Sequence, residues 1–168
     1  MGEGSTTPSG MTRFMVKSRM GLDRDFEALG PDGKRAWYVD GKFGPRPAAE
    51  VQDASGTVTH RLKGRLLGIP KKISVSDVDG TEVASIKAKI SPLKSKMVIT
   101  LSDGGEWLLE GNLIEKDYTI TSGGAVVATI SQKFLTIRDA YTLDVADGVH
   151  PGLALATLWA VDAFREQR

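Results

Sequence analysis

The chain has 168 residues, 40% of them hydrophobic, and a formal net charge of +1. That length suits one well-filled core, and the absence of cysteine excludes a disulfide framework, a thiolate metal site and thiol catalysis. The near-neutral total hides a segregation: Arg61 to Lys96 holds nine Lys or Arg against three Asp or Glu, and the acidic excess lies elsewhere.

Residues 1–10 have neither a basic start nor an apolar run, so no signal peptide is expected there. They read as a disordered arm or a cloning remnant, with Met11 an alternative start and residues 11–168 a single domain. From Met11 onward, short runs alternate with turn signals at all-β spacing. Twelve strands are expected, beginning near Arg13, Asp25, Lys34, Ala48, Thr57, Lys72, Glu82, Lys96, Gly105, Asp117, Ala125 and Ala140. Pro31-Asp32-Gly33, Ala54-Ser55-Gly56, Asp79-Gly80, Asp103-Gly104-Gly105 and Ser122-Gly123-Gly124 supply the positive φ of tight hairpins.

Several of these turns repeat a pattern. Counting from Gly33, Gly56, Gly80 and Gly124, the sixth residue on is Val39, Leu62, Ile86 and Ile130, and the ninth is Lys42, Arg65, Lys89 and Lys133. Asp103-Gly104-Gly105 stands as a degenerate copy in the widest gap. Each unit is a turn followed by a strand with one apolar and one basic face. Period-two alternation assigns the faces: Trp37, Val39 and Phe43 inward, Ala84, Ile86, Ala88 and Ile90 inward, and then Met97, Ile99 and Leu101, Tyr118 and Ile120, and Tyr141, Leu143 and Val145.

The last stretch differs. Leu153 to Val161 carries no charge, so as a helix it is apolar around its whole circumference and must be enclosed. A helix from Pro151 to Arg165 spans roughly 22 Å, short of the ~30 Å hydrocarbon core of a bilayer, so protein and not lipid is expected to wrap it. Pro151 suits a first helical turn and His150 its cap, while Asp162, Arg165, Glu166 and Arg168 return the chain to water. The expected architecture is mainly β: a closed twelve-stranded antiparallel barrel enclosing a central hydrophobic C-terminal helix, a closure that also removes exposed strand edges.

The sequence resembles a family at this level of detail. The residues that carry the resemblance are Asp32-Gly33 with Val39-Asp40-Gly41-Lys42, Asp53-Ala54-Ser55-Gly56, Asp117-Tyr118-Thr119-Ile120, Val127-Ala128-Thr129-Ile130-Ser131, and Asp139-Ala140-Tyr141-Thr142-Leu143-Asp144-Val145 before a helix ending in Val161-Asp162. In that order they look like the LURP-one-related family, grouped with tubby C-terminal domains and phospholipid scramblases, over Met11 to Asp162. The resemblance implies the barrel-around-a-helix fold. It also implies a lipid connection, since tubby domains bind phosphoinositide headgroups through basic residues on the barrel and scramblases act on phospholipids and bind calcium. A calcium site of the scramblase kind would map near Asp144 and Asp147, but the run lacks the carboxylates such a site wants. Relatives often carry an acidic residue where this chain has His150.

The basic stretch is the functional candidate. Arg61, Lys63, Arg65, Lys72, Lys87, Lys89 and Lys96 fall on the outward parity of successive strands, with Lys71 and Lys94 at the turns beside Ile69-Pro70 and Pro92-Leu93. They are expected to meet anionic phospholipid headgroups at a membrane surface; the plain alternative is that they solvate a barrel wall and guard against aggregation. Nucleic acid is disfavoured because Arg61 to Lys96 contains no aromatic on which a base could stack. His60 shares the inward parity of Val58 and Leu62 and reads as a hydrogen-bonded core histidine, and neither it nor His150 has a metal-ligand partner at useful spacing. Asp77-Val78-Asp79-Gly80 reads as a turn rather than a calcium loop. Nucleophile-elbow, phosphate-loop and dinucleotide motifs are missing. The expectation is a non-catalytic, cofactor-free cytoplasmic module, peripheral at the membrane, with a structural or protein-interaction barrel or an enzyme as the alternatives.

Overall fold

The computed structural model describes residues 7, 9–19, 25–42, 46–65, 72–90, 94–112, 117–132 and 140–166. Its strands are β1 (Met11–Arg19), β2 (Asp25–Leu29), β3 (Arg35–Lys42), β4 (Ala48–Asp53), β5 (Val58–Arg65), β6 (Lys72–Asp77), β7 (Glu82–Ile90), β8 (Lys94–Leu101), β9 (Glu106–Asn112), β10 (Asp117–Ser122), β11 (Ala125–Ser131) and β12 (Ala140–Ala146), followed by helix α1 (Pro151–Glu166). Each strand pairs antiparallel with its neighbours in sequence, and β12 returns to β1 to close the barrel. The expected twelve strands, closure and inner helix are all present.

The repeat has a structural meaning. Gly33, Gly56, Gly80 and Gly124 adopt φ of 79°, 86°, 87° and 86° in the hairpins 2–3, 4–5, 6–7 and 10–11. The sixth residue of each copy, Val39, Leu62, Ile86 or Ile130, is at most 1% exposed in the core. All four hairpins also shift register beside the turn, at Ala28/Leu29, Val51/Gln52, Val75/Ser76 and Ile120/Thr121. The degenerate copy, the β8–β9 hairpin around Gly104, pairs without a shift. Such bulges sharpen local twist, which is what a sheet needs in order to curl shut.

Aspartate side chains hold several of these turns, Asp32 with one amide bond and Asp53 and Asp77 with two each. Asp53 Oδ1 accepts from the Ser55 and Thr57 amides at 2.9 and 3.1 Å, and Asp77 Oδ1 accepts from those of Asp79 and Thr81 at 2.9 and 3.0 Å. Bonds of this kind favour the charged carboxylate, and those from Ser55 first, then from the turn amides, hold Asp53 below the ordinary range. The Asp77 segment is a tight turn, as its sequence indicates.

Helix α1 packs against β3, β4, β5, β7 and β12. Ala154 to Val161, together with Ala163 and Phe164, is buried throughout, with Leu155 and Trp159 each 1% exposed. Its one polar interior residue, Thr157, donates to the Leu153 carbonyl at 3.0 Å, so its own buried hydroxyl is satisfied. Inward side chains of the wall complete the core, including Phe26, Leu62, Ile73, Ile99, Leu109 and Leu143. Close approach is required at Gly111, where a Cβ would collide with the Asp117 carbonyl and the Tyr118 ring. Trp37 is partly buried against the core, while Phe43 lies outside the described residues.

Candidate functional site

The cross-strand register decides which basic residues become neighbours, because residues facing one another across antiparallel strands sit about 4.5–5.5 Å apart at Cβ. Lys72 on β6 stands opposite Arg65 on β5 and Lys87 on β7. Lys89 on β7 stands opposite Lys96 on β8, and Lys63 on β5 opposite Ser74 on β6. Lys63, Lys87 and Lys96 are exposed and Lys72 is half-buried. The side chains of Arg65, Lys89 and Lys94, and the whole of Lys71, lie outside the described residues. So do Ile69-Pro70 and Pro92-Leu93.

Arg61 stands apart from this grouping. Its Nε lies 3.3 Å from Glu50 Oε2, and Glu50 Oε1 in turn lies 3.2 Å from Lys42 Nζ, which also contacts Asp40 Oδ2 at 2.7 Å. Hydrogen bonding to Asp40 first, and to Glu50 after it, raises the Lys42 ammonium above its ordinary value against a smaller opposing cost of burial. Arg61 therefore belongs to a balanced ion network between β3, β4 and β5. On the neighbouring face of β8 the run of positive charge meets acid, since Lys96 stands opposite Glu110 on β9.

Asp144, near which a calcium site would map, is committed elsewhere. Its two oxygens take Arg13 Nε at 2.8 Å and Nη2 at 2.9 Å, a bidentate pair across the β1–β12 closure, with the Asp144 side chain 6% exposed. The hydrogen bond to Asp144 raises the Arg13 pKa further, against partial burial. Asp147 is exposed in the following turn. Among the described residues no group of three or more His, Asp or Glu could hold a metal ion.

A second cluster sits where α1 enters the barrel. His60 is 8% exposed, with Nδ1 2.9 Å from the Thr59 hydroxyl, as its inward parity indicates. His150 caps α1 by accepting the Gly152 amide on Nδ1 at 3.0 Å. The two imidazoles meet edge to face with ring centroids 4.8 Å apart, and His150 also lies 5.3 Å from the Trp37 ring. Burial pushes the His60 pKa below the ordinary value, with the neighbouring His150 adding to this and Asp77 opposing it; His150 is lowered in the same direction by the buried side of its ring, although the residue keeps an exposed surface. The separate roles of the two residues are legible in the sequence, but their contact is not. Ninety positions part them, and only the seating of the helix in the barrel brings them together.

Comparison with known proteins agrees with this architecture. The sequence model of the family described as LURP-one-related matches residues 11–162. The chain is 25% identical over 138 residues to the uncharacterized protein YxjI of Bacillus subtilis (strain 168), covering 81% of this chain and 83% of that protein. It superposes with a TM-score of 0.70 and 14% identity on an Arabidopsis thaliana protein solved by X-ray crystallography, over 95% of this chain and 94% of the other, a likeness of fold. With a family match spanning nearly all of a twelve-stranded barrel closed around its own C-terminal helix, the chain belongs to the LURP-one-related family.

Proposed function

We propose that this barrel is a non-catalytic module that binds anionic phospholipid headgroups peripherally through the outer wall of β5 to β8. Lys63, Lys72, Lys87 and Lys96 make the contact, joined by Arg65, Lys71, Lys89 and Lys94. Arg61, already paired with Glu50, contributes least. The observation that supports the reading is the register of Lys72 between Arg65 and Lys87 and of Lys89 against Lys96. Like charges facing one another across strands destabilise a sheet, and a phosphate bound between them removes that cost. The resemblance to tubby domains and scramblases points to the same ligand chemistry.

Binding of this kind is electrostatic, worth roughly 1 kcal/mol per basic residue near an anionic surface and screened by salt. Co-sedimentation with phosphatidylserine-containing vesicles is expected at low salt, to fade at high salt and to be absent with neutral vesicles. The variant Lys87→Glu/Lys89→Glu is expected to bind about thirtyfold more weakly, the equivalent of about 2 kcal/mol. No sedimentation at low salt would leave the barrel with a structural or protein-interaction role. Transport of lipid across a bilayer is not part of the proposal: Leu155 and Trp159 are sealed inside the wall, and among the described residues no helix is long and apolar enough to cross a membrane. Reconstituted protein is expected to fail a scrambling assay.

A further inference from the structure

We propose that His60 and His150 form a proton-operated latch on the entry of α1: while both rings are neutral they hold the helix start against β3 and β5, and proton uptake releases it.

Three features of geometry carry this. First, His150 caps the helix as an acceptor, taking the Gly152 amide on Nδ1. A neutral imidazole that accepts on Nδ1 keeps its proton on Nε2, and the imidazolium has no acceptor at all, so a second proton destroys the cap. Second, the helix start and β3 approach one side of the ring closely while His150 keeps an exposed surface on the other. A Cβ on Gly152 would come within 2.9 Å of His150 Cε1 and 3.2 Å of Trp37 Cζ3, so Gly152 is the residue that lets the helix, the imidazole and Trp37 meet. Third, the partner that His150 touches is another imidazole, with centroids 4.8 Å apart. Charging both rings sets two cations side by side, at the positive end of the helix dipole.

His150 is exposed, so water solvates part of its charge, but the protein around the buried His60 offers little relief. The first turn of α1 carries no acidic residue. On β5, Thr59 gives His60 a hydroxyl partner, and on β6, Asp77 stands opposite His60 and favours its charged form. The carboxylate of Asp77 is already engaged by the Asp79 and Thr81 amides. On β3 the neighbour is the Trp37 ring, with Asp53 opposite it on β4 holding its own turn. Asp147 lies exposed in the turn before His150. Both depressed histidine values agree in direction.

The sign follows from linkage. The unfolded chain binds these protons more readily than the folded one, so stability is full above the unfolded value near 6.5 and is lost as the pH falls through the lower folded values. Each unit of displacement makes about a tenfold change in the folding equilibrium. The test is urea denaturation of the full chain between pH 7.5 and 5.0, for the wild type, His150→Asn, His60→Gln and the double variant, together with NMR titration of the imidazoles. Asn caps a helix without titrating, so His150→Asn is expected to keep neutral-pH stability and to remove at least half of the acid-dependent loss. In the NMR titration both wild-type rings are expected to titrate below the ordinary value, and His60 to move upward in His150→Asn. Equal pH slopes in wild type and double variant would overturn the latch. So would wild-type imidazoles titrating at the ordinary value, a measurement that needs no variant to fold.

Discussion

From β12 through β1 to β4, several charged side chains on the outer wall find opposite partners: Asp144 takes Arg13 in a bidentate pair, Glu27 takes Arg35 at 2.9 Å, and Lys42 bridges Asp40 and Glu50, which face one another across β3 and β4. From β5 to β8 the register does the reverse, placing Lys72 between Arg65 and Lys87 and Lys89 against Lys96. Both arcs share one pleat and one rule for which side chains become neighbours, so the difference lies in residue choice alone. The first arc spends its charge on stability and straddles the closure of the barrel. The second keeps positive charge facing positive charge at some cost to folding, which suits a surface that meets an anion from outside.

The largest effect is expected on the first arc. Asp144→Ala strips a buried carboxylate from Arg13 at the seam between β1 and β12, and a loss of about 2–3 kcal/mol is expected in urea denaturation, short of a fully buried pair because Arg13 is partly solvated. A loss no larger than that of a surface pair would erase the distinction between the arcs. Lys72→Glu probes the second arc in the opposite direction. It turns two facing like-charge pairs into attractive ones, so a gain of up to about 1 kcal/mol in stability is expected, together with weaker sedimentation with anionic vesicles. A stabilised variant that binds vesicles as well as the wild type would detach the like-charge register from lipid. Smallest is Arg61→Ala, at the border between the arcs. An exposed ion pair contributes roughly 0–1 kcal/mol, and since Arg61 is already paired with Glu50 its removal is expected to cost vesicle binding less than loss of Lys87.

The turns, the face of each strand and the enclosure of the last helix were legible in the residues, and so were the places of Val39, Leu62, Ile86 and Ile130 in the core. Glycines that can take positive φ and side chains that alternate with period two are local properties, and neither needs a distant partner to reveal it. The site was legible only in part. Parity could put Arg61 on the outside with Lys63, but Glu50, its neutralising partner, is supplied by the strand alongside, and a charge count along the chain weighs the lysine and the arginine alike. Asp144 offered the mirror case, a carboxylate placed near a metal position by resemblance and found held by Arg13, 131 residues away.

By itself the sequence determined that there would be one greasy rod and a wall with one greasy face, because hydrophobic periodicity and the need to hide an all-apolar helix from water leave few other arrangements. Tertiary structure alone decided where the wall closes, which charges cancel across it, and that the helix cap comes to rest on the ring of His60. Those outcomes depend on register and on the meeting of β1 with β12, which are set by the packing of all twelve strands around the helix at once and by no short stretch of chain.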